Sequence, residues 1–305
     1  MLVKKLNNET PDADITVIVR SRAKAEAMLP RGIRILEADL TDTGAVSRID
    51  GRFDYVVHCA CVTKSREMVT RPTETVKSIV NATQNVLDLA VRNHAKSAVY
   101  VSSMEVYGDM RCPDGRRCGE DEAGAGRVDI LSARSCYPLA KRMAENICCS
   151  FYVEYGLPVK IARLAQTFGK GVLPGEGRVF AQFAECAAHG RDIVLHTEGK
   201  SVGNYCEIED ALEGILTVLH KGKPGEAYNI VNEACTMRIR EVAGFVAERI
   251  AGGEISVRFD IPEDDRFGYA PDTGLMMSGE KLKGLGWEPH KGLEEMFRDM
   301  LNSRA

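Results

Sequence analysis

No glycine occurs before Gly32, and the pattern G-x-x-G-x-x-G is found nowhere in the 305 residues. That excludes, within this chain, the glycine-rich turn whose backbone amides close on a pyrophosphate. No apolar run approaches the roughly 20 residues of a membrane-spanning helix, and the opening "MLVKKLNNET" has no signal-peptide core. A cytoplasmic location with no membrane partner is the expectation. Basic residues do not prevail either: 40 Lys and Arg stand against 44 Asp and Glu. There is no long basic footprint for nucleic acid, and the one local cluster, "RCPDGRRC", reads as a solvated loop. The ten cysteines are scattered, several lie in apolar segments, and no secretory signal accompanies them, so reduced thiols are expected. Cys112 and Cys118 have no second pair or histidine cluster to complete a four-ligand zinc site, and no metal is expected.

What the chain does contain is an alternation of short apolar runs and helical periods. "ITVIVR", "IRIL", "FDYVVHCA", "SAVYVSS" and "VKIARL" read as buried strands. Between the third and fourth, Val76, Ile79, Val80, Val86, Leu87, Ala90 and Val91 recur at helical spacing. Strand, helix, strand, repeated, predicts an α/β fold with a doubly wound parallel sheet. Beyond residue 165 the pattern loosens, with helices expected near 178–189, 208–221 and 238–250. Two domains follow: 1–165, Rossmann-like, and 166–305, a smaller α/β lobe interleaved with the first. "KLKGLGWEPHKGLEEMFRDML" reads as a short helix, a turn and a last helix.

In "RSCYPLAKRMAEN", Ser135 is placed to cap a helix, Pro138 fits its first turn, and Tyr137 and Lys141 share one face. Just beyond the strand "SAVYVSS" stand Ser103, Glu105 and Tyr107, where open parallel sheets bind their ligands. With "EADLTD", "HCAC", "RLAQTFGKGV", "RVFAQF", "YCEIEDA", "AYNIVNE" and "LGWEP" in this order, nearly the whole chain resembles the extended branch of the short-chain dehydrogenase/reductase superfamily. That branch holds nucleotide-sugar epimerases, dehydratases and decarboxylases, and "RSCYPLAKRMAENIC" is similar to the matching stretch of UDP-glucuronate decarboxylases.

The resemblance implies that Tyr137 is the base, Lys141 favours its phenolate and holds the nicotinamide ribose, Ser103 hydrogen-bonds the same substrate oxygen, and Glu105 keeps an acidic position. A tyrosine, with an ordinary pKa near ~10, needs such a cation at neutral pH. Arg20, Ser21, Asp39, Leu40, Cys59 and Ala60 fall at cofactor-binding positions, and Gln166, Arg178 and Arg266 at substrate positions. Met104 replaces a proton-carrying neighbour, which disfavours dehydration. Gly203 stands where the family carries a phosphate-binding arginine, and Ile79 where it carries an asparagine. The cofactor is NADP or NAD: Arg20 and Arg22 after the second strand suit a 2′-phosphate, whereas tightly held NAD suits a 4-epimerase. A 4-epimerase asks least of these residues, with a 4-ketoreductase, a decarboxylase and a non-catalytic binding protein as the alternatives. The implied partners are a nucleotide sugar and a second copy, through helices near 74–93 and 137–155. "LVKKL" resembles the end of the first crossover helix. The first strand and phosphate turn are therefore expected to be encoded upstream of Met1, unless the second and fourth strands close on each other.

Overall fold

A computed structural model describes residues 1–62, 65–112, 115–124, 126–173, 175–263 and 272–303. They form two compact units: Met1–Val101 with Ile130–Ile161 and Gly222–Glu226, and Ser102–Asp129 with Ala162–Lys221 and Ala227–Ala305. The first unit runs α1 (Leu2–Glu9), β1 (Thr16–Val19), α2 (Arg22–Met28), β2 (Arg34–Glu37), α3 (Thr43–Ser47), β3 (Tyr55–His58), α4 (Ser65–Thr70) and α5 (Pro72–Arg92). It continues through most of β4 (Ser97–Ser103), α6 (Cys136–Tyr155) and the start of β5 (Val159–Leu164).

Local chemistry fixes these elements. α5 has Pro72 in its first turn, where a missing N–H costs nothing, and buries Ile79, Val86, Leu87 and Ala90 along one stripe. It packs against α6, which ends at Gly156 in the left-handed conformation that a residue without Cβ adopts freely. Ser135 does precede α6, but its side chain makes no capping hydrogen bond, because a 3-10 turn over Ala133–Ser135 leads directly into the helix. β1 pairs with β2 in parallel, Thr16 opposite Arg34, and β3 pairs with β4 in parallel, His58 opposite Tyr100. Among the described residues β1 and β3 belong to separate sheets, so closure of the second expected strand on the fourth does not occur. β4 buries Ser97 through Tyr100, whereas β1 is half-buried throughout and Tyr55 of β3 is exposed.

The second unit carries the last residues of β4 and β5, then β6 (Gln166–Phe168), α7 (Val179–Ala188), β7 (Ile193–Leu195), β8 (Val202–Glu207), α8 (Ile208–Lys221) and β9 (Ala227–Ile230). β10 (Asn232–Arg238), α9 (Ile239–Phe245), β11 (Val257–Phe259), α10 (Glu280–Lys283) and α11 (Leu293–Asn302) complete it. β8 lies between β6, parallel, and β10, antiparallel, with Tyr205 opposite both Gln166 and Asn232. Two of the quoted motifs meet here. Asp210 of "YCEIEDA" accepts the backbone N–H groups of His290 and Lys291 on Oδ2 at 3.0 Å each, and its carbonyl accepts from Trp287 Nε1 at 3.0 Å. The loop after "LGWEP" is thereby pinned to the start of α8.

One expectation fails in this unit. Cys112 and Cys118 are joined by a disulfide rather than standing as free thiols. Arg111, just before the bridge, pairs singly with Gly274, and Cys118 pairs with Met277, an arrangement that no periodicity in the sequence announces. Among the described residues no helix is long and apolar enough to cross a membrane.

The core of the second unit contains an aromatic cluster among aliphatic side chains. Phe168 stacks on Phe180 at 4.3 Å and meets Phe297 edge-on at 5.0 Å, with Tyr205 at 5.9 Å. Phe168→Ala removes the ring that all three share and leaves a cavity. Urea denaturation followed by fluorescence is expected to show a loss of about 3–5 kcal/mol. A loss below about 1 kcal/mol would mean that the core collapses around the gap.

Candidate active site

Tyr137 and Lys141 lie one turn apart on α6, 7% and 1% exposed. A buried ammonium needs partners, and Lys141 has them. Its Nζ donates to the carbonyl oxygen of Val101 at 2.8 Å, and sits 4.7 Å from the centre of the Tyr100 ring and 5.8 Å from that of Tyr137. Burial pulls the Lys141 pKa down, while Cys61, Cys59 and Glu145 push the other way. Beneath it, His58 Nε2 pairs with Thr83 Oγ1 at 3.2 Å. Burial, and then the Lys141 charge, hold the His58 imidazole neutral with its pKa down to about 3. The Tyr100 hydroxyl is buried without a hydrogen-bond partner, and burial raises its pKa well above the ordinary value.

A cavity of about 250 Å³ opens beside this group in the same unit. Arg20 at the end of β1, Asp39 and Leu40 after β2, and Ala60 after β3 all line it. Asp39 Oδ1 accepts from Thr41 N at 2.9 Å and Thr41 Oγ1 at 2.8 Å, which, with Arg20 nearby, lowers its pKa. The donor set suits the adenosine end of a dinucleotide: an apolar floor of Ile18, Val19 and Ala38, with a cation and a carboxylate at the rim. Ser21 and Cys59 are not among the lining residues. The Ser21 hydroxyl instead accepts from Lys24 N as the cap of α2, and Cys59 is exposed. Cys61, Val62, Thr41, Ser78 and Ala82 line the cavity without having been singled out. Their signal was adjacency: Ser78 and Ala82 are one helical turn apart, flanking the fully buried Ile79.

In the second unit, Ser103 ends β4 and its Oγ accepts from Glu105 N at 3.2 Å, which starts the 3-10 turn Met104–Tyr107. The Tyr107 hydroxyl is spoken for, with Asn229 Oδ1 at 2.9 Å and Arg163 Nη1 at 3.4 Å, and burial pushes its pKa up to about 12. Gln166 opens β6, half-buried. Arg178 occupies the N-cap position of α7 without a side-chain capping hydrogen bond. Its guanidinium pairs with Glu176 at 2.9 Å and lies 4.7 Å over the Phe180 ring. Arg266 lies outside the described residues. At Gly203 an added Cβ would come within 2.3 Å of the Tyr205 hydroxyl oxygen, so the tyrosine two residues on occupies the space an arginine would need. That hydroxyl is buried and has no hydrogen-bond partner.

Residues 1–231 match the NAD dependent epimerase/dehydratase family. The chain belongs to that family. It is a family of enzymes, and NAD is its cofactor. Among similar proteins, UDP-glucuronic acid decarboxylase 6 of Arabidopsis thaliana is 30% identical over 243 residues, covering 79% of this chain and 67% of the relative. In fold, the chain is similar to a UDP-glucose 4-epimerase of Thermotoga maritima crystallised with UDP-glucose, at a TM-score of 0.84 and 23% identity over 99% of this chain and 94% of that one. It is also similar to a dTDP-glucose 4,6-dehydratase of Streptomyces venezuelae with NAD bound, at a TM-score of 0.76 and 23% identity over 97% and 91%. The α/β, Rossmann-type architecture is thus established.

The neutral His58 makes stability depend on pH. Folded, it stays unprotonated down to about pH 3. Unfolded, it takes a proton near pH ~6.5. The unfolded state therefore binds more protons between those values, and stability falls as pH drops through that window. In His58→Asn the decline in unfolding free energy between pH 7 and pH 5, from urea titrations, is expected to be smaller than wild type by about 2 kcal/mol. An identical decline would place the proton elsewhere.

Proposed function

We propose that this chain acts on a nucleotide sugar by oxidising and re-reducing its C4 carbon, with 4-epimerisation as the net reaction. One observation carries the reading. The Tyr137–Lys141 pair is held to β4 through Val101, two residues before Ser103 on the same strand. Tyr137, with Lys141 beside it, takes the proton from the C4 hydroxyl, and Ser103 hydrogen-bonds the same oxygen. Glu105, two residues after Ser103, supplies an acidic group. When bound, the nicotinamide supplies a hydride acceptor for C4. Arg20, Asp39, Leu40 and Ala60 hold the adenosine end, Lys141 the nicotinamide ribose, and Gln166, Arg178 and Arg266 are assigned to the sugar nucleotide. The role of Arg178 requires its guanidinium to leave Glu176, a modest cost for a half-exposed pair. In this reading residues 1–165 serve the dinucleotide and 166–305 the substrate, and two copies associate through α5 and α6.

A second reading, decarboxylation of a UDP-uronic acid, is supported by the 30% identity to UDP-glucuronic acid decarboxylase 6 and by Glu105. A 4-ketoreductase drawing on NADPH uses the same three residues. Incubation with UDP-glucose and with UDP-glucuronate, followed by NMR for inversion at C4 and by release of carbon dioxide, separates these readings. Release of carbon dioxide without inversion selects the decarboxylase. No change in either substrate, with or without NADPH, supports a non-catalytic binding protein.

Two variants test the machinery. Tyr137→Phe keeps the ring and removes the proton acceptor. Turnover is expected to fall by about 10²–10⁴ while nucleotide binding stays within about twofold. Wild-type turnover on every accepted sugar nucleotide would remove Tyr137 from the reaction. Arg20→Asp is expected to shift the ratio of NADP to NAD dissociation constants by about tenfold toward NAD, or ~1.4 kcal/mol. An unchanged ratio would show that the exposed arginine does not meet the 2′-phosphate.

A further inference from the structure

Two uncharged groups hold the Lys141 ammonium. It donates to the Val101 carbonyl at 2.8 Å and lies 4.7 Å over the ring of Tyr100, a side chain as deeply buried as the lysine. The Tyr100 hydroxyl makes no hydrogen bond, so what this residue offers is the face of its ring. That ring is clamped in turn: it meets the His58 ring at 5.6 Å, and His58 is bound to Thr83 of α5. Glu145, one turn further along α6, favours the ammonium through its charge, but the same carboxylate also acts on Arg142.

We propose that Tyr100 is a positioning residue for the reactive pair: the face of its ring keeps the Lys141 ammonium seated and charged beside Tyr137 without lending it a counterion. The kind of partner matters to the phenol. A carboxylate paired with the lysine would cancel most of its field at Tyr137, whereas an aromatic face attracts a cation through its quadrupole and leaves the positive charge whole. In a site this dry the contact is at its strongest, because no water competes for the ammonium. The bearing of Tyr100 on turnover rests on the roles proposed above for Tyr137 and Lys141; its effect on the Tyr137 proton does not.

The test separates the electrons of the ring from its bulk. The whole chain is made with Tyr100→Phe, with Tyr100→Leu, and with pentafluorophenylalanine at position 100, which has the shape of phenylalanine but an electron-poor face. The ionisation of Tyr137 is followed by NMR in protein isotopically labelled at the tyrosine ring carbon that bears oxygen, the signal being identified by its loss in Tyr137→Phe. Without an electron-rich face the charged lysine is less stable, and Tyr137 holds its proton more tightly. Tyr100→Phe is expected to titrate as wild type, and the leucine and pentafluoro variants about one pH unit higher. The other titratable groups around the lysine, His58, Cys59, Cys61 and Glu145, are the same in all of them. Where the wild type turns over a nucleotide sugar, the acidic limb of its pH profile is expected to move upward with the Tyr137 midpoint in those two variants, so that turnover below the limb falls about tenfold, and Tyr100→Phe restores it. An identical or lower midpoint for pentafluorophenylalanine than for phenylalanine overturns the proposal and leaves Tyr100 a packing residue. Should Tyr100→Leu fail to fold by circular dichroism, that comparison between two rings of one shape decides. A raised midpoint in a protein that turns over no nucleotide sugar would discard the proposed function and leave this inference standing; unmoved midpoints in an active protein would do the reverse.

Discussion

The first unit is organised around a buried positive charge. Lys141 is almost completely shielded from water, and an ammonium in that position is tolerated only when its protons are taken up. The Val101 carbonyl takes one, and the face of Tyr100 offers its electrons. Both partners, Tyr100 and Val101, are successive residues of β4. Holding the lysine therefore fixes α6 against β4. Burial first, and then the same charge, keeps His58 from accepting a proton, and burial keeps the Tyr100 hydroxyl un-ionised.

Much of this was legible in the sequence because it rests on periodicity. Runs such as "SAVYVSS" are buried on both faces and read as strands without ambiguity, and the stripe from Val76 to Val91 gives α5 by its spacing alone. Tyr137 and Lys141 could be paired because four residues make one turn. Arg20, Asp39, Leu40 and Ala60 were grouped by the family resemblance, and all four line the cavity.

What could not be read depends on where side chains go once the backbone is set. Ser21 and Ser135 look alike as helix starts, yet only Ser21 caps. A 3-10 turn ahead of α6 removes the need at Ser135. The partner of Arg178 is the local Glu176, a pairing that sequence distance makes cheap and that no motif records. The disulfide between Cys112 and Cys118 depends on a loop folding back on itself, and general arguments about cell compartment do not reach that level. Gly203 looked like a simple loss of an arginine, but the ring of Tyr205 covers it. A side chain at position 203 therefore requires the Tyr205 ring to move.

The pin at Asp210 has a consequence for how the chain is made. Its backbone partners, His290 and Lys291, lie some eighty residues further on, and the aromatic cluster begun by Phe168 is completed by Phe297 on α11. Contacts of such long sequence separation cannot form while the chain is still growing through that interval. The second unit must therefore emerge from the ribosome with Phe168, Phe180 and Tyr205 uncovered, and it becomes a closed body only when α11 arrives. During synthesis this half is exposed to chaperones and to its own sticky neighbours for longer than its size suggests, whereas the α5–α6 pair of the first unit can close as soon as residue 155 is free.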